Sequence, residues 1–190
     1  MKYPTYTIVN GKRYNINTDF RIAIECNVIA SDENIGDFER ALAVIYKLFG
    51  EEGLNNPQDY EMLLEKAKKY LTCGKELEDE KEPDMDYVQD YDYIETSFMS
   101  DYHIDLSKEN MHWWQFFNRL NGLSNSEFGN CCVLNRIRNI RNMDTSGITD
   151  KKTLQLIAEQ KKRFALKKKE PSDKQKESAR AFYEMLKRGD

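Results

Sequence analysis

Four aspartates lie within nine consecutive positions in the middle of the chain, and carboxylates grouped in this way could bind a divalent cation. They are Asp84, Asp86, Asp90 and Asp92. On a helix Asp86 and Asp90 share one face, whereas the other two point elsewhere. The chain lacks the glycine-containing loop pattern of a calcium site, and acidic residues near the start of a helix favour its dipole without any metal. We therefore predict that no metal binds here.

The two histidines, His103 and His112, are the next candidates for chemistry. Asp101 or Asp105 could orient either imidazole, as a general base would require. However, no serine occupies a nucleophile elbow, and no glycine-rich phosphate-binding loop is present in the sequence. His112 is better explained as an amphipathic residue beside a packed aromatic helix. We expect a protein without enzymatic activity or cofactor.

The four cysteines form neither a disulfide framework nor a metal motif. They are Cys26, Cys73, Cys131 and Cys132. Two are adjacent, and no Cys-x-x-Cys occurs. A free cysteine with no group nearby to lower its pKa is inert. We expect free thiols, as in a reducing cytosol.

Four large rings occupy five consecutive positions, at Trp113, Trp114, Phe116 and Phe117. Successive residues of a helix lie about 100° apart, so these rings surround it. One face can fill a core, while another has to meet a second helix, a second domain or a second copy of the chain. Tryptophan is also enriched at interaction hot spots. Core alone, and core plus interface, both stay open.

We take the four rings and Tyr91 as candidate partner-binding residues. Within this set we expect Trp113 or Phe117 to face the partner and Trp114 to pack inside.

The first elements to position these residues are a hairpin and three helical segments. The strands at residues 6–9 and 12–16 are joined by Asn10-Gly11, a strong hairpin signal because both turn residues must accept a positive φ. Residues 19–30 fit a helix or a strand, and we favour a helix. Phe38, Leu42, Ile45 and Phe49 recur at helical spacing up to Gly50, and a short helix follows that is capped by Asn56 and has Pro57 in its first turn.

A second group of helices is predicted around the aromatic cluster. The apolar stripe at Tyr87, Tyr91, Ile94 and Phe98 predicts a helix entered at residues 83–84 and ending near residues 102–103. Ser107 is expected to cap the next helix, which contains residues 111–120 and stops at Asn121-Gly122. Residues 124–127 form a capping box that predicts a further helix. Residues 154–166 support a partial helix.

Length and composition agree with this mainly helical assignment. The chain has 190 residues, enough for one domain or two small ones, and its 39% hydrophobic and 33% charged residues favour a modest core with solvated helices. We expect residues 1–73 to hold the hairpin and its helices, 74–84 to be a charged linker, 85–170 an aromatic-rich helical region and 171–190 a flexible tail. The expected fold is mainly α, a helical bundle with an N-terminal β-hairpin.

Charge is distributed unevenly along the chain. Residues 74–110 contain 13 acidic and 3 basic residues, whereas residues 136–190 contain 16 basic and 8 acidic ones. A basic half raises nucleic acid as a candidate partner, but few aromatic side chains accompany the basic ones to stack on bases. We expect these charges to solvate helix faces and to attract one another, within a chain or between copies. A nucleic-acid-binding regulator that uses the basic C-terminal half stays open as an alternative.

The sequence resembles the phage gene-product-fifteen family over roughly residues 8–166. The resemblance rests mainly on an aromatic-Ile segment, a Tyr-x-Ile-Asp-Leu segment and a His-Trp-Trp helix. Here these are residues 91–98, residues 102–106 and residues 111–116, followed by Leu-Asn-Gly-Leu at 120–123. The segments at residues 10–12, 19–21, 136–138 and 150–152 also match.

The resemblance implies a protein of siphophages and prophages of Gram-positive bacteria that acts in tail morphogenesis. Such a tail assembly chaperone would bind the tape measure protein, and the major tail protein is a further candidate partner, as is a second copy of the chain. The resemblance brings no catalytic residues. A minor structural tail protein retained in the virion is the alternative from the same setting.

The expected location is the host bacterial cytoplasm. The sequence has no stretch of about 18 apolar residues that could span a membrane. Its first ten residues lack the basic region and apolar run of a secretory signal. We expect neither a membrane nor nucleic acid as a partner.

Overall fold

The computed structural model describes residues 3–76, 83–126 and 129–167. Over these residues the chain is mainly α-helical with an N-terminal two-stranded hairpin, which confirms the expected fold class. The chain forms two compact units, which meet in sequence at Gly74 and Lys75. The flexible tail expected at residues 171–190 lies outside the described residues, as does most of the charged linker.

The first unit begins with the hairpin. Strand β1, Tyr6–Val9, pairs antiparallel with strand β2, Lys12–Asn15, so that Val9 lies opposite Lys12. The turn residues Asn10 and Gly11 have φ values of 47° and 78°, in the left-handed region that an Asn-Gly turn accommodates. The hairpin prediction is confirmed.

Five helical segments complete the described part of the first unit. They are α1 at Phe20–Ala30, α2 at Asp37–Phe49, α3 at Glu51–Leu54, a single 3₁₀ turn at Pro57–Asp59, and α4 at Tyr60–Leu71. The Asp19 carboxylate caps α1 by accepting a 2.8 Å hydrogen bond from the Arg21 backbone N–H, so the helical assignment of residues 19–30 is confirmed. Helix α2 ends at Gly50, whose φ is 68°.

The core of the first unit is built from one face of each element. Its fully buried side chains include Tyr14, Phe20, Ile45, Leu48 and Leu63. One of the apolar residues at helical spacing lies outside this core: Phe38, in the first turn of α2, is 67% exposed. Gly53 shows how tightly α3 packs, because a Cβ there would lie 2.8 Å from the Ile45 Cγ2 atom.

The second unit contains four helices among its described residues. They are α5 at Tyr91–Tyr102, α6 at Trp113–Asn121, α7 at Val133–Asn142 and α8 at Lys151–Phe164. Helix α5 packs against α6 and α7, and α7 packs against α8. Buried Ser97 links α5 to the start of α7, since its hydroxyl accepts a 3.1 Å hydrogen bond from the Leu134 backbone N–H.

Three helix starts differ from the sequence prediction. Helix α5 begins at Tyr91, because residues 87–90 form turns. Helix α6 is capped by His112, while Ser107 instead binds the Asp105 carboxylate.

The third difference concerns α7, which is capped by Cys132 and not by the expected box at residues 124–127. The Ser124 backbone N–H donates to Asp101, and the Ser124 carbonyl accepts from the Cys132 N–H. These bonds hold Ser124 in a loop.

Candidate partner-binding surface

Helix α6 is positioned by a histidine cap. The His112 Nδ1 atom accepts a 3.0 Å hydrogen bond from the Trp114 backbone N–H, which satisfies one of the free donors at the helix start. At the other end, the Tyr102 hydroxyl donates to the Arg119 carbonyl over 2.9 Å and joins α5 to α6. The helix that carries the aromatic cluster is therefore fixed at both ends.

The inward rings of α6 form a continuous stack with α5. The Phe116 ring is stacked on Phe98 with centroids 5.1 Å apart, and it lies 5.8 Å from the Trp113 ring. Tyr87 meets the edge of Trp113 at 5.8 Å. The side chains of Phe98, Trp113 and Phe116 have no exposed surface. These rings form part of the apolar core between the two helices.

The burial of the two tryptophans is the reverse of the one expected from the sequence. Trp113 is fully buried, whereas Trp114 is half-buried, so Trp113 does not face a partner and Trp114 is not the ring that packs inside. The other expected orientation, in which Phe117 faces the partner, stays a prediction. Helix α5 lies on the side of α6 that carries Trp113 and Phe116. Trp114, the ring that follows Trp113 in the sequence, therefore points away from α5. Trp113 and Phe116 cannot contact a partner without opening the core.

Two α6 rings keep surface that a partner could contact. Phe117 is half-buried beside Trp113, with centroids 5.7 Å apart, and the Lys75 Nζ atom lies 5.0 Å from the Phe117 ring centroid. Trp114 is the second half-buried ring. Tyr91, the remaining candidate, opens α5 and is also half-buried. We call Trp114 and Phe117 the aromatic surface of α6.

The aspartates considered for metal binding instead pair with the basic half of the second unit. Asp90 is 1% exposed and receives both Nη atoms of Arg141, at 2.7 and 2.8 Å. These hydrogen bonds to the carboxylate raise the pKa of Arg141 further above its ordinary value. Asp84 accepts from Arg138 Nε at 3.1 Å and from Asn142 at 2.7 Å.

Asp86 has a structural role as well. One Asp86 carboxylate oxygen accepts from the backbone N–H groups of Val88 and Gln89, both at 2.8 Å, and shapes the turn before α5. Among the described residues, no group of three or more His, Cys, Asp or Glu side chains could hold a metal ion.

The acids that could have oriented a histidine are used elsewhere. Asp101 accepts a 2.7 Å hydrogen bond from the Ser124 backbone N–H. Asp105 binds Lys108 and Ser107, and these hydrogen bonds lower the pKa of its carboxyl to about 2. His103 ends α5 in a left-handed conformation, with φ of 56°. Both carboxylates therefore have structural partners.

All four cysteines are free thiols, and the structure gives two of them a structural setting. Burial raises the pKa of the Cys26 thiol to about 12, which opposes thiolate chemistry. The Cys132 sulfur accepts a 3.4 Å hydrogen bond from the Asn135 backbone N–H at the start of α7.

Two clusters were missed from the sequence. In the first unit, Asp59 is 1% exposed and accepts from Tyr14 at 2.5 Å, Asn10 at 2.6 Å and Asn56 at 2.8 Å. The Asn10-Gly11 turn was the only signal available, since it fixes where the hairpin tip lies but not what it contacts. The second is the pair of Asp90 and Arg141, which are 51 positions apart.

Within the part of the chain that the structure describes, no helix is both long and apolar enough to cross a bilayer.

A family model described as Bacteriophage Gp15 protein matches residues 4–166, which is most of the chain. No curated protein and no solved structure gave a significant match.

Proposed function

Because the chain belongs to the bacteriophage Gp15 protein family, we propose that it is a tail assembly chaperone that binds the tape measure protein during tail morphogenesis. The tape measure protein is a long helical chain with apolar faces that must stay soluble until the tail tube assembles around it. A chaperone for such a chain needs an apolar surface on a rigid support.

The aromatic surface of α6 is the observation that carries this proposal. Trp114 and Phe117 are half-buried on a helix whose other rings, Trp113 and Phe116, are locked in the core. Rings held in this way lose little conformational freedom when a partner covers them, which favours binding. An amphipathic helix laid against them would bury its own apolar face in return.

Co-expression with the tape measure protein tests the proposal. The wild-type chain should keep the tape measure protein soluble and co-purify with it. Trp114→Ala and Phe117→Ala should reduce co-purification strongly, while the free variants melt within a few degrees of the wild type. Asn118→Ala, at an exposed position of the same helix, is the matched control and should bind normally. Normal binding by both ring variants would refute a role for the aromatic surface.

Analysis of purified particles distinguishes the chaperone from a minor tail protein. A chaperone should be absent from finished tails, whereas a structural protein would be present in every particle. The other alternative is a regulator that binds nucleic acid through the basic C-terminal half. It has less support, because Arg138 and Arg141 bind aspartates within the second unit. A shift assay with DNA across a range of salt concentrations would detect it directly.

A further inference from the structure

One edge of strand β2 faces away from β1. Antiparallel strands alternate between residue pairs that exchange main-chain hydrogen bonds and pairs that do not. The Ile16 backbone N–H donates to the Thr5 carbonyl at 2.9 Å, so Tyr14, two positions earlier, also turns its main-chain groups toward β1. The N–H and carbonyl groups of Arg13 and Asn15 therefore point away from β1. Over the residues that the structure describes, the sheet consists of β1 and β2 alone, so this edge of β2 can accept a third strand.

A cavity lies where this edge ends. Asn17 continues the edge, but its N–H donates to the Leu48 carbonyl in the last turn of α2 at 2.7 Å, which closes the edge at that point. Beside this bond is a cavity of about 460 Å³, within the range of about 300–1,000 Å³ of known ligand sites. Its apolar lining comes from the end of β2, from α1 and from α2, with the side chains of Ile16, Ile22, Tyr46 and Phe49.

The surface around the edge and the cavity is accessible and carries one available positive charge. Tyr46, which lines the cavity, is 47% exposed. Arg13 is exposed, and its guanidinium carbon lies 4.0 Å from the Tyr6 ring centroid. Lys47, also at the cavity, is paired with Glu25 at 2.5 Å. The salt bridges among the described residues do not include Arg13, so its guanidinium can pair with a carboxylate of another molecule.

We propose that this edge and cavity, which we call the β2 groove, bind an extended segment of a partner protein as a third strand beside β2. The main-chain groups of Arg13 and Asn15 would provide the hydrogen bonds, and the cavity would select a side chain. A helix is not a suitable occupant, because its main-chain groups are already paired with one another. The β2 groove lies in the first unit and goes beyond the proposed function, which uses the aromatic surface of α6.

The geometry of the groove also specifies the chemistry of its occupant. In an antiparallel pair, residues directly opposite each other lie on the same face of the sheet. A residue opposite Ile16 would place its side chain at the cavity, so it should be apolar. The residue three positions later would lie opposite Arg13, where a carboxylate can pair with the guanidinium. The expected occupant is therefore an extended segment with an apolar residue followed, three positions later, by an acidic one.

The first test measures the binding of a fluorescent peptide, Ser-Thr-Phe-Thr-Val-Glu-Thr-Ser, to the full chain by fluorescence anisotropy. Tyr46→Ala should weaken binding on the order of tenfold, as expected for an aromatic contact near the centre of an interface. Phe38→Ala, which removes an exposed ring of the same helix outside the cavity, is the matched control and should bind as the wild type does. Replacing the Phe of the peptide by Ser should abolish binding.

A charge reversal tests the role of Arg13. Arg13→Glu should weaken binding of this peptide on the order of tenfold, because two carboxylates would then face each other. A peptide with Lys in place of its Glu should bind the Arg13→Glu chain more tightly than it binds the wild type. Lys68→Glu, at an exposed position of α4, is the control for the change in net charge and should alter neither affinity.

Methylated peptides test the main-chain pairing on the wild-type chain, so that the folding of variants cannot affect the result. An N-methyl group on the Glu residue blocks an amide that faces β2 and should abolish binding, whereas one on the preceding Val faces away and should leave binding intact. Equal binding by the two methylated peptides, or no binding of the unmodified peptide, would overturn the proposal. Dimers of the wild-type chain that Tyr46→Ala dissociates, as measured by light scattering, would also overturn it, since the occupant would then be a second copy.

Discussion

Each compact unit contains one almost fully buried carboxylate among its described residues, and the two units stabilise it differently. Asp59 in the first unit is surrounded by neutral donors, Tyr14, Asn10 and Asn56. Asp90 in the second unit faces the guanidinium of Arg141. Three neutral donors share the stabilisation of Asp59, so no single one is essential. The charge of Asp90 is balanced by one residue.

The difference teaches where each unit is vulnerable. In the first unit, the Asp59 carboxylate links the hairpin turn at Asn10 to the 3₁₀ turn before α4. These two elements are distant in sequence. In the second unit, Arg141 also donates to the Asp84 and Phe164 carbonyls and thereby connects α7 with the turns before α5 and the end of α8. Loss of Arg141 should therefore affect several elements at once.

The largest predicted effect is that of Arg141→Met. It leaves Asp90 buried without a counter-charge, and breaking a buried pair in this way costs about 3–5 kcal/mol. Denaturant unfolding should show this loss of free energy. Arg136→Met, at an exposed position of the same helix, is the control and should cost less than about 0.5 kcal/mol.

A double variant sharpens this prediction. Adding Asp90→Asn to Arg141→Met removes the uncompensated charge and should restore part of the lost stability. A double variant as unstable as the single one would show that the contacts of Arg141 with carbonyl groups matter more than the ion pair.

The second prediction concerns the shared stabilisation of Asp59. Tyr14→Phe removes one of three donors and should destabilise the chain by about 1.5–3 kcal/mol, the usual contribution of one hydrogen bond to a charged group. The effect should be smaller than that of Arg141→Met, because Asn10 and Asn56 still bind the carboxylate. The same denaturant measurement compares them, and an equal or larger loss for Tyr14→Phe would contradict the distinction between the units.

The third prediction is that the free energy of unfolding is highest over a range of pH whose two limits are set by Asp59 and Tyr14. Hydrogen bonds from Tyr14 and then Asn10 lower the pKa of Asp59 below its ordinary 3.8. Burial and then the bond to Asp59 raise the pKa of Tyr14 from 10.0 to about 12. The contribution of Asp59 is thus complete above pH 3.8 and is lost as the pH falls below it. The contribution of Tyr14 is complete below pH 10 and is lost between pH 10 and 12.

Thermal melts across pH measure this range, with Tyr14→Phe as the comparison. The variant should not show the loss of stability at alkaline pH that the Tyr14 hydroxyl causes in the wild type. Its loss of stability at acid pH should be smaller, because Asp59 has lost the donor that lowers its pKa most. Identical pH profiles for the two proteins would mean that the cluster does not couple folding to protonation.

Local signals explain why much of the fold was predictable from the sequence. The Asn10-Gly11 turn requires positive φ values that few residues tolerate, so the hairpin was identified correctly. The helix stop at Gly50 follows from the same requirement. Helix starts were less predictable, since His112 and Cys132 are weak caps by residue type. Ser107 is instead held by local hydrogen bonds to Asp105, and Ser124 is held by a bond to Asp101, which is distant in sequence.

The candidate surface was predictable only in part, for a physical reason. Four rings in five positions show that some ring must lie away from the core, but the direction depends on where α5 packs. That packing placed Trp113 inside and left Trp114 half-buried. The sequence likewise showed acidic and basic segments without showing which charges meet, since Asp90 and Arg141 are brought together only by the folded chain.

The smallest predicted effect concerns an exposed cation, in contrast to the buried guanidinium of Arg141. Lys75 is exposed, and its Nζ atom lies 5.0 Å from the Phe117 ring centroid. A cation over a ring at an exposed site contributes only about 0.5–1 kcal/mol, because water solvates the ammonium nearly as well. Lys75→Met should therefore lower the free energy of unfolding by no more than this. Lys108→Met, which removes an exposed lysine that pairs with Asp105, is a control for the loss of one positive charge.

The same Lys75→Met variant can be tested for binding. If Lys75 mainly shields Phe117, this variant should retain the tape measure protein at least as well as the wild type. A loss of retention would show that the ammonium itself contacts the partner.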